Sequence, residues 1–139
     1  MKVKFLMIYI LISFSSFGQE IGSIKNGNHT IKLLKSDNLF LFVYSDINSN
    51  KPNNEKSFHF PNIDTIYTIV MDGFNYSKNH QIIVQTSIDT IVKFEFKKIR
   101  GKKMLMIKQN NLANKTFGTS SLFTQDEIEK LFEAYKGYL

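Results

Sequence analysis

Two spacings of hydrophobic and polar residues run through this chain, one alternating with period two and one close to 3.6. Residues 29–35 read as a strand, and 38–44 as its hairpin partner across a polar Ser36–Asp37 turn. The second run, Leu39 to Tyr44, is apolar at every position, as in a strand covered on both faces or lying beside a helix layer. The chain then turns polar from Ser45 to Lys56, the pattern of a surface loop, before a short strand at 57–60. Strands follow at 81–86 and 90–98. In the latter, Val92, Phe94 and Phe96 alternate with Lys93, Glu95 and Lys97, so the aromatic rings are expected inside and the charges outside. Ile99-Arg100-Gly101-Lys102 makes a turn and 103–109 returns. A second polar loop at 110–118 and a short strand at 120–123 complete the period-two elements.

Two segments carry the helical spacing. In 61–73 the Ile, Thr and Val residues favour strand by propensity. However, Ile63, Ile66, Tyr67, Val70 and Phe74 fall on one helical face, with Asp64, Thr65, Thr68 and Asp72 opposite. Asn62 is a suitable N-cap and Gly73 a suitable stop, so the spacing predicts a helix. Near the carboxyl end, Thr124 and Glu127 form a capping box, in which each side chain accepts from the other's free backbone donor. Ile128, Leu131, Phe132 and Tyr135 continue as one apolar stripe, and Gly137 ends it.

These elements predict an α+β fold: a mostly antiparallel sheet of about six strands with two helices packed on it, since neither helix can bury its stripe alone. The order hairpin, polar loop, short strand, helix occurs twice. Phe40-Leu41-Phe42-Val43 corresponds to Met104-Leu105-Met106-Ile107 at an offset of 64, and Asn62, Asp64 and Ile66 to Thr124, Asp126 and Ile128 at 62. A duplicated β-β-β-α unit and a chance likeness of amphipathic elements both fit these offsets.

The amino terminus changes the picture of where the domain begins. Lys2 and Lys4 precede an apolar run at 5–14, and Ser16 and Gly18 stand at the −3 and −1 positions of a small-residue exit. This is the pattern of a secretory signal peptide, residues 1–18, cleaved before Gln19. The run is about half the length a membrane-spanning helix needs. Cleavage leaves residues 19–139 as a single domain exported to the periplasm or beyond, with no stable membrane span. Taking away Lys2 and Lys4 leaves 16 basic against 12 acidic residues, a net charge of +4. That excess favours anionic partners without identifying one. There is no cysteine, which excludes thiol catalysis, thiolate metal sites and disulfide staples, so the ten phenylalanines of residues 19–139 must supply the core. The sequons at Asn28, Asn75 and Asn114 are no more than an asparagine-rich sequence gives by chance.

Catalytic and metal-binding patterns are sparse. There is no Gly-x-Ser-x-Gly elbow, no His-x-x-x-His pair and no glycine-rich phosphate loop, so no cofactor or metal is expected. His29, His59 and His80 lie far apart in sequence, and a dispersed enzyme site would have to unite His59 or His80 with an acid through folding. Asp126 and Glu127 have a capping role, and Glu129 and Glu133 form a solvent-facing row. Asp46-Ile47-Asn48-Ser49-Asn50 opens like a calcium-binding EF-hand loop. Lys51 then stands where glycine is required and Ser57 where a bidentate glutamate belongs, so a polar hairpin loop is the sound reading.

The densest charge surrounds the 99–102 turn. Lys93, Lys97, Lys98, Arg100, Lys102, Lys103 and Lys108 fall within sixteen residues, with Glu95 the only acid. Lysines of this kind keep a strand edge soluble, or they dock an anionic partner. Nucleic acid is disfavoured because Phe94 and Phe96 alternate away from the lysines and offer no stacking platform beside them. The reading is therefore a small exported binding protein with no catalysis of its own, inhibitor- or immunity-like, for which Lys93, Lys97, Lys98, Arg100, Lys102 and Lys103 would meet an acidic protein. The rival readings are a carrier of a small apolar ligand beneath the helices and the dispersed-site enzyme.

Overall fold

The computed structural model describes residues 18–49, 51 and 54–136. The expected export segment, Gly18 apart, and the Gly137 helix stop lie outside the described residues. The fold is α+β with two antiparallel sheets rather than one of about six strands. The first half contributes β1 (Gln19–Asn26), β2 (His29–Ser36), β3 (Leu39–Ser45) and β4 (Glu55–Phe60), paired in that order as sheet A, followed by helix α1 (Ile63–Asn75). The second contributes β5 (His80–Ser87), β6 (Thr90–Ile99), β7 (Lys102–Asn111) and β8 (Thr116–Thr119), also in order, as sheet B, with β9 (Phe123–Thr124) on β7, then helix α2 (Gln125–Lys136).

Several expectations need correction. β1 was not foreseen because its register slips between Glu20 and Gly22, which breaks the alternation that marks a strand. The β2–β3 turn lies one residue later than expected, at Asp37–Asn38, since Ser36 already pairs with Leu39. β3 is buried on one face only: Phe42 and Tyr44 point into the core while Leu41 and Val43 stay half-buried outside. The 110–118 loop is shorter than expected, because β7 runs to Asn111 and β8 begins at Thr116. The expected 120–123 strand is replaced by an irregular gap between β8 and β9. There the buried Ser120 keeps the ladder satisfied, its hydroxyl accepting from Ile107 N at 2.9 Å and its own N–H donating to Ile107 O at 2.8 Å.

The helices sit where their caps and stripes place them. Asn62 Oδ1 accepts from Thr65 N at 3.2 Å, and the Thr124–Glu127 box closes with bonds of 3.0 and 3.2 Å. Gly73 does not stop α1. It is buried inside the helix because the Phe96 ring of sheet B lies flush against it: a Cβ there would come within 2.1 Å of that ring. Gly22 plays the matching part in β1, where a Cβ would lie 2.1 Å from Leu131 O of α2. The helices are thus exchanged. α1 follows sheet A yet packs on sheet B through Gly73 and Phe74. α2 follows sheet B yet packs on sheet A, with Phe132 edge-on to Phe42 and Tyr135 edge-on to Phe40.

One core results. β4 crosses the inner face of sheet B, Phe58 meeting Phe94, while Gln109 Nε2 of β7 donates to Ser57 O at 2.8 Å and Gln109 Oε1 accepts from Tyr44 Oη at 2.8 Å. Burial pushes the Tyr44 phenol well above its ordinary pKa, and the nearby Asp46 carboxylate adds to the shift. Nineteen buried apolar side chains among the described residues, nine of them from the second half, make the interior common to both sheets.

Candidate functional site

The inner face of sheet B is consumed by this core, which leaves its outer face as the exposed product of the same alternation. On β6, Ile91, Lys93, Glu95 and Lys97 point outward between the buried Val92, Phe94 and Phe96. β7 adds Met104, Met106 and Lys108, and β5 adds Ile83 opposite Lys93.

The basic residues expected to act together divide between faces. Lys93 and Lys97 are on the outer face. Lys93 stands directly opposite Lys108, a like-charge cross-strand pair of a kind that costs a sheet stability. Glu95 relieves part of this, its carboxylate lying 3.2 Å from Lys108 Nζ and 3.6 Å from Lys97 Nζ. Lys93 makes no ion pair among the described residues. Lys98 and Lys103, a second opposed pair, lie on the inner side beyond Phe96. There Lys98 N donates to Asn79 Oδ1 at 2.8 Å, and Lys103 Nζ donates to Tyr76 O and, at 2.9 Å, to Lys78 O, carbonyls just past the end of α1. A cation at that point complements the negative end of the helix dipole. Arg100, with φ 53°, and Gly101, with φ 81°, form the exposed two-residue turn, and Lys102 leaves it.

Beside Lys93 and Lys108 lies a groove of about 350 Å³ that composition did not reveal. Ile83, Ile91 and Phe117 form its apolar lining, and Phe117 is 69 % exposed and Ile83 58 %. Ile88 in the β5–β6 turn and Leu112 in the β7–β8 turn, 85 % and 50 % exposed, lie at the adjoining end, where Leu112 N donates to Asp89 O at 2.7 Å. The legible signal was an aromatic residue set among Asn114, Lys115 and Thr116, with no apolar neighbour in sequence to explain it as core.

The other candidates are dispersed. His59 is exposed on the outer face of sheet A opposite Leu41. His80 is stacked on Phe96 at 4.9 Å, and its Nδ1 donates to Lys78 O at 3.0 Å. It shares a shallow groove of about 250 Å³ with Glu95 and Lys97. His29 lines a separate basin of about 620 Å³ with Lys25, Asp46 and Lys51. Asp46 is occupied there in fastening its loop, accepting from Asn48 N and Thr119 N at 3.2 Å each. Asp64 accepts from Tyr135 Oη at 3.0 Å and so ties the start of α1 to α2; burial and that carboxylate raise the Tyr135 pKa. No group of three or more histidine, aspartate or glutamate side chains among the described residues is arranged to hold a metal ion. No helix among them is long and apolar enough to cross a membrane. Comparison of the chain with protein-family models, with curated proteins and with solved structures gives no match.

Proposed function

We propose that this chain is an exported, non-catalytic binding protein whose outer sheet-B face docks an acidic protein, in the manner of an inhibitor or immunity protein. The observation that carries the reading is the groove in which exposed Phe117 and Ile83 adjoin Lys93 and Lys108, two cations set opposite each other. An exposed aromatic beside unpaired positive charge is the composition of an interface hot spot, with the ring supplying buried area and the cations supplying orientation and encounter rate. A carboxylate from a partner would relieve the like-charge pair as Glu95 does for Lys108. The docking set is accordingly Lys93, Lys97 and Lys108 with Phe117 and Ile83; Arg100 and Lys102 extend it at the tip, while Lys98 and Lys103 serve the inner side. One exposed aromatic is too few for a single-strand nucleic acid platform. The rival carrier reading would use the groove of about 260 Å³ that Ile21, Phe40, Ala134 and Tyr135 line at the end of α2, since Phe132 meets Phe42 and Tyr67, and Phe74 meets Phe96, elsewhere beneath the helices.

Export completes the reading: the domain's first strand begins at Gln19, directly after the expected cleavage point. Mass spectrometry of the native amino-terminal peptide should find Gln19, or its pyroglutamate, as the first residue, and a start at Met1 would refute export with cleavage. The same proposal extends to a duplicated unit. The turns Asp37–Asn38 and Arg100–Gly101 lie 63 positions apart and each opens on a positive-φ residue. At that offset buried Phe42, Tyr44 and Phe60 match buried Leu105, Ile107 and Phe123, whereas an offset of 64 sets Phe42 against half-buried Met106.

Affinity capture from envelope extract tests the docking face. Wild type should retain an acidic protein that is lost with Lys93→Glu/Lys108→Glu and with Phe117→Ala, and kept with Lys98→Glu. Equal capture by all four proteins would overturn the assignment.

A further inference from the structure

Sheets expose backbone donors and acceptors at their edges, and the four edges of this fold are not treated alike. β1 carries Glu20 and Lys25, has its register broken at Gly22 and lies under α2. β4 carries Glu55 and Lys56 and crosses sheet B. β8 is four residues long, and its last residue is held by the β3–β4 loop, Ile47 N donating to Thr119 O at 2.9 Å. β5 meets β4 and α1, but neither charge nor shortness guards its edge. It runs eight residues, His80–Ser87, with no Lys, Arg, Asp, Glu, Gly or Pro, and its one irregularity, between Gln85 and Ser87, lies at its far end.

We infer that β5 is a self-association edge, pairing antiparallel with β5 of a second copy of this chain about a two-fold axis through Ile83. The sequence of the edge is what selects that occupant. Gln81-Ile82-Ile83-Val84-Gln85 is near-symmetric about Ile83, with Ile82 exchanging for Val84, so the pairing sets Ile83 opposite itself and Gln81 opposite Gln85 on the outer face, and Ile82 opposite Val84 on the inner. Such an isologous contact closes as a dimer and consumes both open edges. The dimer would carry both docking grooves on one continuous outer surface, although the edge argument stands without the acidic partner.

The test uses the full exported domain in sedimentation equilibrium and in crosslinking. Wild type should sediment at twice the monomer mass. Ile83→Lys should weaken self-association at least tenfold by setting two ammonium groups on the axis, with an unchanged melting temperature because Ile83 is 58 % exposed. The chain has no cysteine, so Ile83→Cys introduces a single thiol that faces its own copy. It should form a disulfide dimer in mild oxidant much faster than Ile88→Cys, which is more exposed but off the axis. A monomeric wild type at high protein concentration would overturn the inference, as would equal crosslinking rates for the two cysteine variants.

Discussion

At the scale of single residues, Gly73 decides between two opposed expectations. Helix propensity alone makes Gly→Ala inside a helix stabilising by about 1 kcal/mol. At this position the added methyl would stand 2.1 Å from the Phe96 ring, inside a filled core. Overpacking of that kind costs about 1–3 kcal/mol and outweighs propensity. Gly73→Ala should therefore lower stability in denaturant unfolding; a rise would mean that α1 does not press on sheet B as described. Tyr44 offers a second residue test, through pH. Its phenol is buried and donates to Gln109, so the folded state holds the proton more tightly than the unfolded chain. The stability this contributes is complete below the ordinary tyrosine pKa of about 10 and is lost as pH rises above it. Tyr44→Phe should unfold less steeply with pH above about 10 than wild type, by thermal melting across an alkaline series. Parallel slopes would show that the phenol is not shielded.

Among the elements, those with local codes were legible. The Thr124–Glu127 box fixed the start of α2, and the spacing of Ile63, Ile66 and Val70 outweighed the strand propensity of α1. Thr124→Ala should cost about 1 kcal/mol by chemical denaturation, as loss of an N-cap does. No measurable cost would mean the helix begins elsewhere. β6 was equally clear, since it alternates over ten residues. β1 was not, because its bulge moves Ile21 and Ile24 out of period two. Gly73 misled for a physical reason: a glycine that ends a helix and a glycine that admits a neighbouring ring are identical in sequence. For the candidate site, the charges of the hairpin were plain from the chain, but their division between faces depends on register, and the part played by Phe117 depends on β8.

The whole molecule is governed by the exchanged helices, which no single segment announces. Because α1 covers sheet B and α2 covers sheet A, neither half carries the helix that buries its own sheet. Residues 19–77 and 78–139 expressed separately should each lack cooperative unfolding, and mixing them should restore it. A half that melts cooperatively alone would show that the exchange is not required for folding. The same arrangement explains why function is assigned to an outer face: the inner faces are filled by the helices and by β4. Photocrosslinking in cells producing the protein tests this most directly, with a photoreactive phenylalanine derivative at Phe117 or, on the opposite sheet, at His59. The Phe117 position should yield one discrete adduct with an acidic protein while the His59 position yields none. Adducts from His59 alone, or no adduct from Phe117, would contradict the assignment of sheet B as the working surface.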